Sequence, residues 1–166
     1  VGYCQSMNFI AGMLLIFMRE EDAFWMLLIT VEDLLPVDYY TKSMIGTHVD
    51  QHVFLELIAA KAPVVSDVLE ESGVQLSLIS LQWFLCVFLN TLPLETALRI
   101  WDVFFFKGDE VIFRAGVALL KLHEPSLVAS IEQSKGEDGC DAFGEVFNSL
   151  KEIGENAVDA DELLQV

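Results

Sequence analysis

The chain has 166 residues, about one domain's worth, with 54% hydrophobic residues and a net charge of −17 from 9 Lys and Arg against 26 Asp and Glu. Without a cluster of cations to displace counterions, nucleic-acid binding is excluded, and docking of this segment alone on an anionic membrane is disfavoured for the same reason. The apolar content exceeds the roughly 45–50% usual for soluble domains, but no apolar stretch reaches the about 20 residues of a spanning helix: Phe9 to Met18 is too short, and Trp83 to Trp101 is interrupted by Asn90, Pro93, Glu95 and Arg99.

A soluble helical protein with a large dry core satisfies that composition, as does a domain from which part of a partner surface is absent. No charged n-region or cleavage site of a signal peptide is expected. Helical periodicity runs through the chain, and strand-like alternation bounded by turns is lacking, so the fold class is all-α. The first helix is predicted over Cys4 to Phe17 and is broken by the polar turn MREED. Asp22 is the expected N-cap of a second helix, Ala23 to about Glu32, with Phe24, Trp25, Leu27, Leu28 and Val31 inward; Pro36 marks its end. After a short piece at Tyr39 to Lys42, a longer helix is predicted from Ile45 to Lys61, with Val49, Phe54, Leu57 and Ile58 on its apolar side. Pro63 suits the first position of the next helix and Gly73 its stop. Ser80 is a candidate cap for the apolar run SLQWFLCVFLN, which ends at Asn90. A turn at Thr91 to Pro93 leads into a helix from Leu94 to Phe106, ended by Gly108. Asp109 is expected to cap a helix from Glu110 to His123, stopped by Pro125. Ser134 to Asp141 reads as a loop, Ala142 to Leu150 as a helix, and DADELL at Asp159 to Leu164 as another capped start. From Glu132 onward ten acidic residues face only Lys135 and Lys151, the pattern of a solvated tail or surface helix.

Candidates for chemistry are few. His48 and His52 share a helix face in HVDQH, but Val49 stands where a zinc protease needs Glu, and no third ligand is evident, so no metal is expected. Cys140 lies in a Gly-rich loop without a neighbouring His to act as base. Cys4 and Cys86 fall in apolar stretches, no two cysteines form a CxxC pair, and reduced, buried thiols in a cytoplasmic compartment are the simplest expectation. Neither GxxxxGK[ST] nor GxGxxG occurs. Arg99 and Asp102, three apart in LRIWDVFFFKG, suit an exposed ion pair, and Trp101 suits a core. Tyr3, Gln5 and Asn8 precede an apolar helix face. They either cap that helix, or Gln5 points outward and uses its amide, acceptor and donor at once, to place a hydrolytic water beside a phosphate.

YCQSMNFIAGMLL at Tyr3 to Leu15 resembles the YxQGMN segment of TBC domains, which activate Rab-type small GTPases. WFLCVFLNTLPLETALRIWDVFFFKG at Trp83 to Gly108 resembles the later block of the same family, and VDQHVF at Val49 to Phe54 is also similar. The resemblance covers Val1 to about Ser130. It implies an all-helical, multi-helix TBC-type (Rab-GAP) domain, here its C-terminal portion over residues 1–130, with residues 131–166 an acidic helical extension or tail. Carried over by position, Gln5 is the glutamine finger that acts in trans on a GTP-loaded Rab. Tyr3, Ser6 and Asn8 support it, and Trp83, Phe84, Arg99, Trp101 and Asp102 belong to the structural motif. GTP and Mg2+ belong to the partner GTPase, so no cofactor is expected. Recruitment to endomembranes would come through partners. The family's arginine finger comes from an IxxDxxR segment upstream of YxQ, which residues 1–166 do not contain, so little activity is expected of this fragment alone. Ser6 stands where the family usually has Gly, and Gln82 where Arg is common. A second expectation, from a different class, is a module that binds a small GTPase or helical partner without promoting hydrolysis; a third is a truncated product without activity.

Overall fold

The computed structural model describes residues 2–136, 141–154 and Leu163. Nine α-helices follow one another among the described residues, with no strand: α1 (Met7–Phe17), α2 (Glu20–Ile29), α3 (Ile45–Lys61), α4 (Pro63–Ser72), α5 (Ser77–Cys86), α6 (Leu94–Lys107), α7 (Glu110–Leu122), α8 (Glu124–Gly136) and α9 (Ala142–Glu152). The all-α expectation holds.

Local signals place some boundaries as predicted. Pro63 opens α4, where its missing N–H costs nothing, and Gly73 closes it at φ 69°. Asp141 caps α9 by accepting from the Phe143 N–H at 3.1 Å. Other boundaries move. The first helix begins at Met7 rather than Cys4, because Ser6 sits in the left-handed region at φ 93° and no helix can run through it. Helix α2 starts at Glu20 with Arg19 at its N-cap position. Asp22 lies inside its first turn and accepts from Arg19 Nε at 3.0 Å instead of capping. Ala23 of this helix and Thr30 and Val31 just after it are buried, while Phe24 and Trp25, expected inside, are 58% and 54% exposed. The last turn widens into a π-helical one over Thr30–Leu34, with the Thr30 hydroxyl donating to Met26 O. Ser80 is no cap. It lies inside α5, fully buried. Asp109 flanks α7 without a capping side-chain bond. Pro125, read as a stop, enters the first turn of α8, a helix the sequence did not announce, which buries Leu127 and Ile131. Cys140 and all of the DADELL segment except Leu163 lie outside the described residues.

The core centres on α5 and α6. Trp83, Phe84, Phe88, Trp101 and Phe104 are buried, and Phe84 packs between Phe54 of α3 (5.0 Å between ring centroids) and Phe113 of α7 (5.2 Å). Helix α7 approaches α3 closely because Gly116 faces the Phe54 ring, where a Cβ would come within 2.7 Å. Helix α9 packs on α4 and α8, and brings Val146, Leu150 and Ile153 into the same apolar cluster. At the other end, α1 carries a single polar residue, Asn8. It buries Ile10, Met13 and Leu14 while leaving Phe9, Leu15, Ile16 and Phe17 exposed. Phe24 and Trp25 of the neighbouring α2 are exposed as well. No helix among the described residues is long and apolar enough to cross a membrane.

Candidate functional site

Residues 2–4 carry no regular secondary structure, Gln5 and Ser6 form a turn, and α1 begins at Met7. The turn is built locally. The Ser6 N–H donates to Asn8 Oδ1 at 3.3 Å, and the Cys4 N–H donates to Met7 Sδ at 3.4 Å. Asn8 therefore satisfies a backbone donor of the turn while remaining exposed. Ser6 is the pivot. A non-glycine residue in the left-handed region costs about 1–2 kcal/mol, and here it is 2% exposed, packed in place by its surroundings. Its neighbours on either side differ. Gln5 is exposed, and its amide makes no hydrogen bond among the described residues. Tyr3 is 79% exposed. A buried Ser6 next to Gln5 leaves the Gln5 amide open to solvent.

The pivot rests on the end of α5. The Ser6 hydroxyl faces the buried Cys86 thiol. Burial pushes that thiol's pKa up, and the Ser6 hydroxyl and the Gln82 amide, which donates to Sγ at 3.0 Å, hold part of the rise back. Helix α5 stops abruptly after Cys86, because Val87 and Phe88 adopt φ of 45° and 63°. For a β-branched and a bulky residue this is true strain. Two bonds maintain it: the Phe88 N–H donates to Trp83 O at 2.9 Å, and Trp101 Nε1 donates to Val87 O at 3.0 Å. Trp83, Phe84 and Trp101 are thus core residues, and Trp101 has a specific polar task within it. Arg99 and Asp102 are apart from this constellation, on the exposed face of α6, 3.6 Å from each other. At that exposure the pair contributes about 0.3–0.5 kcal/mol at most.

Helix α3 holds a second polar cluster. Its buried face begins with Thr47, Asp50 and Gln51 before turning apolar at Phe54 and Ile58; Val49, expected on that side, is 55% exposed. Thr47 Oγ1 donates to Tyr39 O at 3.0 Å, and Ser80 Oγ donates to Gln51 Oε1. Gly46 lets the loop close on the helix, since a Cβ there would meet Val37 O at 2.6 Å. The Tyr39 hydroxyl, Asp50 Oδ2 and Gln51 Nε2 are buried without a hydrogen bond of standard geometry. Burial raises the Asp50 carboxyl to about 6. The facing Tyr39 phenol offsets part of that rise, and the Asp109 charge adds to it. His48 and His52 are exposed, with His52 Nε2 3.5 Å from Glu56. No group of three or more potential metal ligands occurs among the described residues.

Sequence reasoning placed Gln5, Ser6 and Asn8 together but missed the supporting residues Tyr40, Cys86 and Val87. Tyr40 donates from its hydroxyl to Leu85 O at 2.7 Å. Nothing in the local sequence marks these residues, except that a tyrosine buried in an apolar setting needs a partner for its hydroxyl.

A family model described as the Rab-GTPase-TBC domain matches residues 1–128. The chain is 38% identical over 166 residues to the human protein named small G protein signaling modulator 3, covering 100% of this chain and 21% of that one. It is 44% identical over 147 residues to the human growth hormone-regulated TBC protein 1, covering 88% of this chain and 43% of that one. The crystal structure of the Chlamydomonas flagellar RabGAP TBC domain superposes with a TM-score of 0.77 at 28% identity, over 98% of this chain and 51% of that structure. The chain therefore spans about half or less of the proteins it matches.

Proposed function

Because the chain belongs to the Rab-GTPase-TBC domain family, we propose that it forms part of a GTPase-activating module for Rab-type small GTPases, with Gln5 as a glutamine finger supplied in trans. The observation that carries this reading is the exposed, unpaired Gln5 amide beside the buried Ser6 pivot. The amide carbonyl accepts from the hydrolytic water while its NH2 donates to a phosphate oxygen, which orients the water for in-line attack. Asn8 contributes by holding the turn, and Tyr3 flanks the finger on the exposed side. GTP and Mg2+ arrive with the partner, which is engaged in its GTP-bound form, and the module itself carries no hydrolytic centre. Charge on the transferred phosphoryl is neutralised by an arginine finger, a group worth about 10³–10⁵ in rate. The IxxDxxR segment that supplies it in the family does not occur in residues 1–166, so that role falls to a segment outside these residues. Recruitment to endomembranes through the Rab partner fits the same reading.

The test is single-turnover GTP hydrolysis by a panel of GTP-loaded Rab proteins, with this chain and with a longer protein that includes the arginine segment. We expect acceleration by the longer protein, little by residues 1–166 alone, and loss of most of the acceleration in Gln5→Ala. If the longer protein accelerates no Rab, or works equally well as Gln5→Ala, Gln5 is not the finger. Tight binding to a GTP-bound Rab with unaltered turnover would select a docking module instead.

A further inference from the structure

Four consecutive residues at the end of α5 are each held by a different group. Tyr40, from the loop between α2 and α3, donates to Leu85 O. Gln82 donates to Cys86 Sγ one turn on within α5. Trp101 of α6 donates to Val87 O, and the Phe88 N–H returns to Trp83 O. Tyr40, Cys86, Val87 and Phe88 are all 3% exposed or less. Left-handed residues cost about 1–3 kcal/mol each and persist only where the surroundings over-determine them. Here they are over-determined from three elements, and the strained pair borders Cys86, the residue that faces Ser6. Helix α1 packs directly on α5. The strained pair Val87 and Phe88 thus follows directly on the residue that Ser6 faces, and Ser6 is the chain neighbour of Gln5.

We propose that Leu85–Phe88 is a rigid seat for the finger segment, and that Tyr40 and Cys86 are positioning residues that hold Gln5 at the reach its task requires. This rests on the role given to Gln5 above. A glycine at position 6 would reach the left-handed conformation without strain but would have no side chain to set against Cys86; Ser6 accepts the strain and gains that contact. The seat acts only by fixing where Gln5 lies, since Tyr40 and Cys86 are buried. A finger displaced by about 1 Å loses on the order of a hundredfold in rate, so small shifts of the seat are read directly in turnover.

Two measurements test this. The first uses the chain as it stands: 15N relaxation at the Gln5 and Ser6 amides. We expect order parameters near the rigid value of about 0.85, falling towards about 0.6 in Cys86→Ala and in Tyr40→Phe, with recovery in Cys86→Ser, which keeps a polar partner for Ser6 and Gln82. The second is single-turnover hydrolysis by the longer protein with the Rab it accelerates most. Cys86→Ala is expected to lower the maximal rate roughly tenfold or more with the half-saturating concentration unchanged, and to add nothing in a Gln5→Ala background. Unchanged order parameters in both variants would overturn the seat, as would a further fall in rate when Cys86→Ala is added to Gln5→Ala, which would mark a general loss of structure. If Gln5→Ala alone leaves the rate intact, the finger assignment fails, and the relaxation data still decide whether the seat holds this segment.

Discussion

Replacing Asp50 by Asn should stabilise this protein at neutral pH. Asp50 is 7% exposed on the inner face of α3, beside the Tyr39 phenol, with Asp109 adding repulsion. Its carboxyl titrates at about 6 in the folded state against about 3.9 in an unfolded chain. The folded pKa is raised, so the folded state binds the proton more tightly. The favourable contribution is complete below pH 4 and is lost as pH rises through 6. The difference between the folded and unfolded values sets an upper bound of about 3 kcal/mol, of which about half falls between pH 5 and 7.5; solvent screening trims this, and we expect about 1 kcal/mol over that window. Asn keeps the shape, still offers an acceptor beside the Tyr39 hydroxyl and carries no charge. Urea unfolding of the native chain and of Asp50→Asn, at several pH values from 5 to 7.5, measures both effects while staying above the isoelectric point of about 4.2. We expect the variant to be more stable at pH 7.5 by about 1–2 kcal/mol, with the gap narrowing towards pH 5. A variant that is less stable at pH 7.5, or a gap independent of pH, would refute a buried ionised Asp50. The same measurement bears on the site, because Tyr39 and Tyr40 are neighbours in the loop that clamps Leu85 O.

Two further outcomes follow from close approaches in the core. In Gly154→Ala the new Cβ would lie 2.0 Å from Thr91 O, a backbone atom with little freedom to move; overpacking of this kind and partial loss of the buried Ile153 should cost about 2–4 kcal/mol, seen as a fall of several degrees in the thermal midpoint, and an unchanged midpoint would show that the turn at Thr91 yields. Trp101→Phe leaves the Val87 carbonyl without its donor and removes part of a buried ring, for a loss of about 2–5 kcal/mol in urea unfolding; a loss below about 1 kcal/mol would mean the indole N–H is not what maintains the left-handed turn.

The candidate site was legible in part. The order of YCQSMN, WF and LRIWD singled out Gln5 as the candidate finger, and its amide is exposed. The seat beneath it was not legible. Cys86 and Tyr40 read as ordinary core residues, because their partners are carbonyl and hydroxyl groups far along the chain, and no periodicity encodes such pairs. The misplacement of Phe24 and Trp25 has a similar origin. An all-apolar face gives no phase to a helix, and the small Ala23, not the largest side chains, lies on the buried side of α2.

By itself the amino-acid sequence determined the helical class, the termini at Pro63 and Gly73 and the place of the candidate finger. Each of these depends on side chains within a few residues: apolar spacing, a missing N–H, a glycine's tolerance of positive φ. Only the tertiary structure decided that Ser6, Val87 and Phe88 would be left-handed, because none of the three prefers that conformation. Val87 is held there by the Trp101 indole of α6, and all three are buried by packing from elsewhere in the chain, so the geometry at Gln5 depends on the assembled core as well as on its own segment.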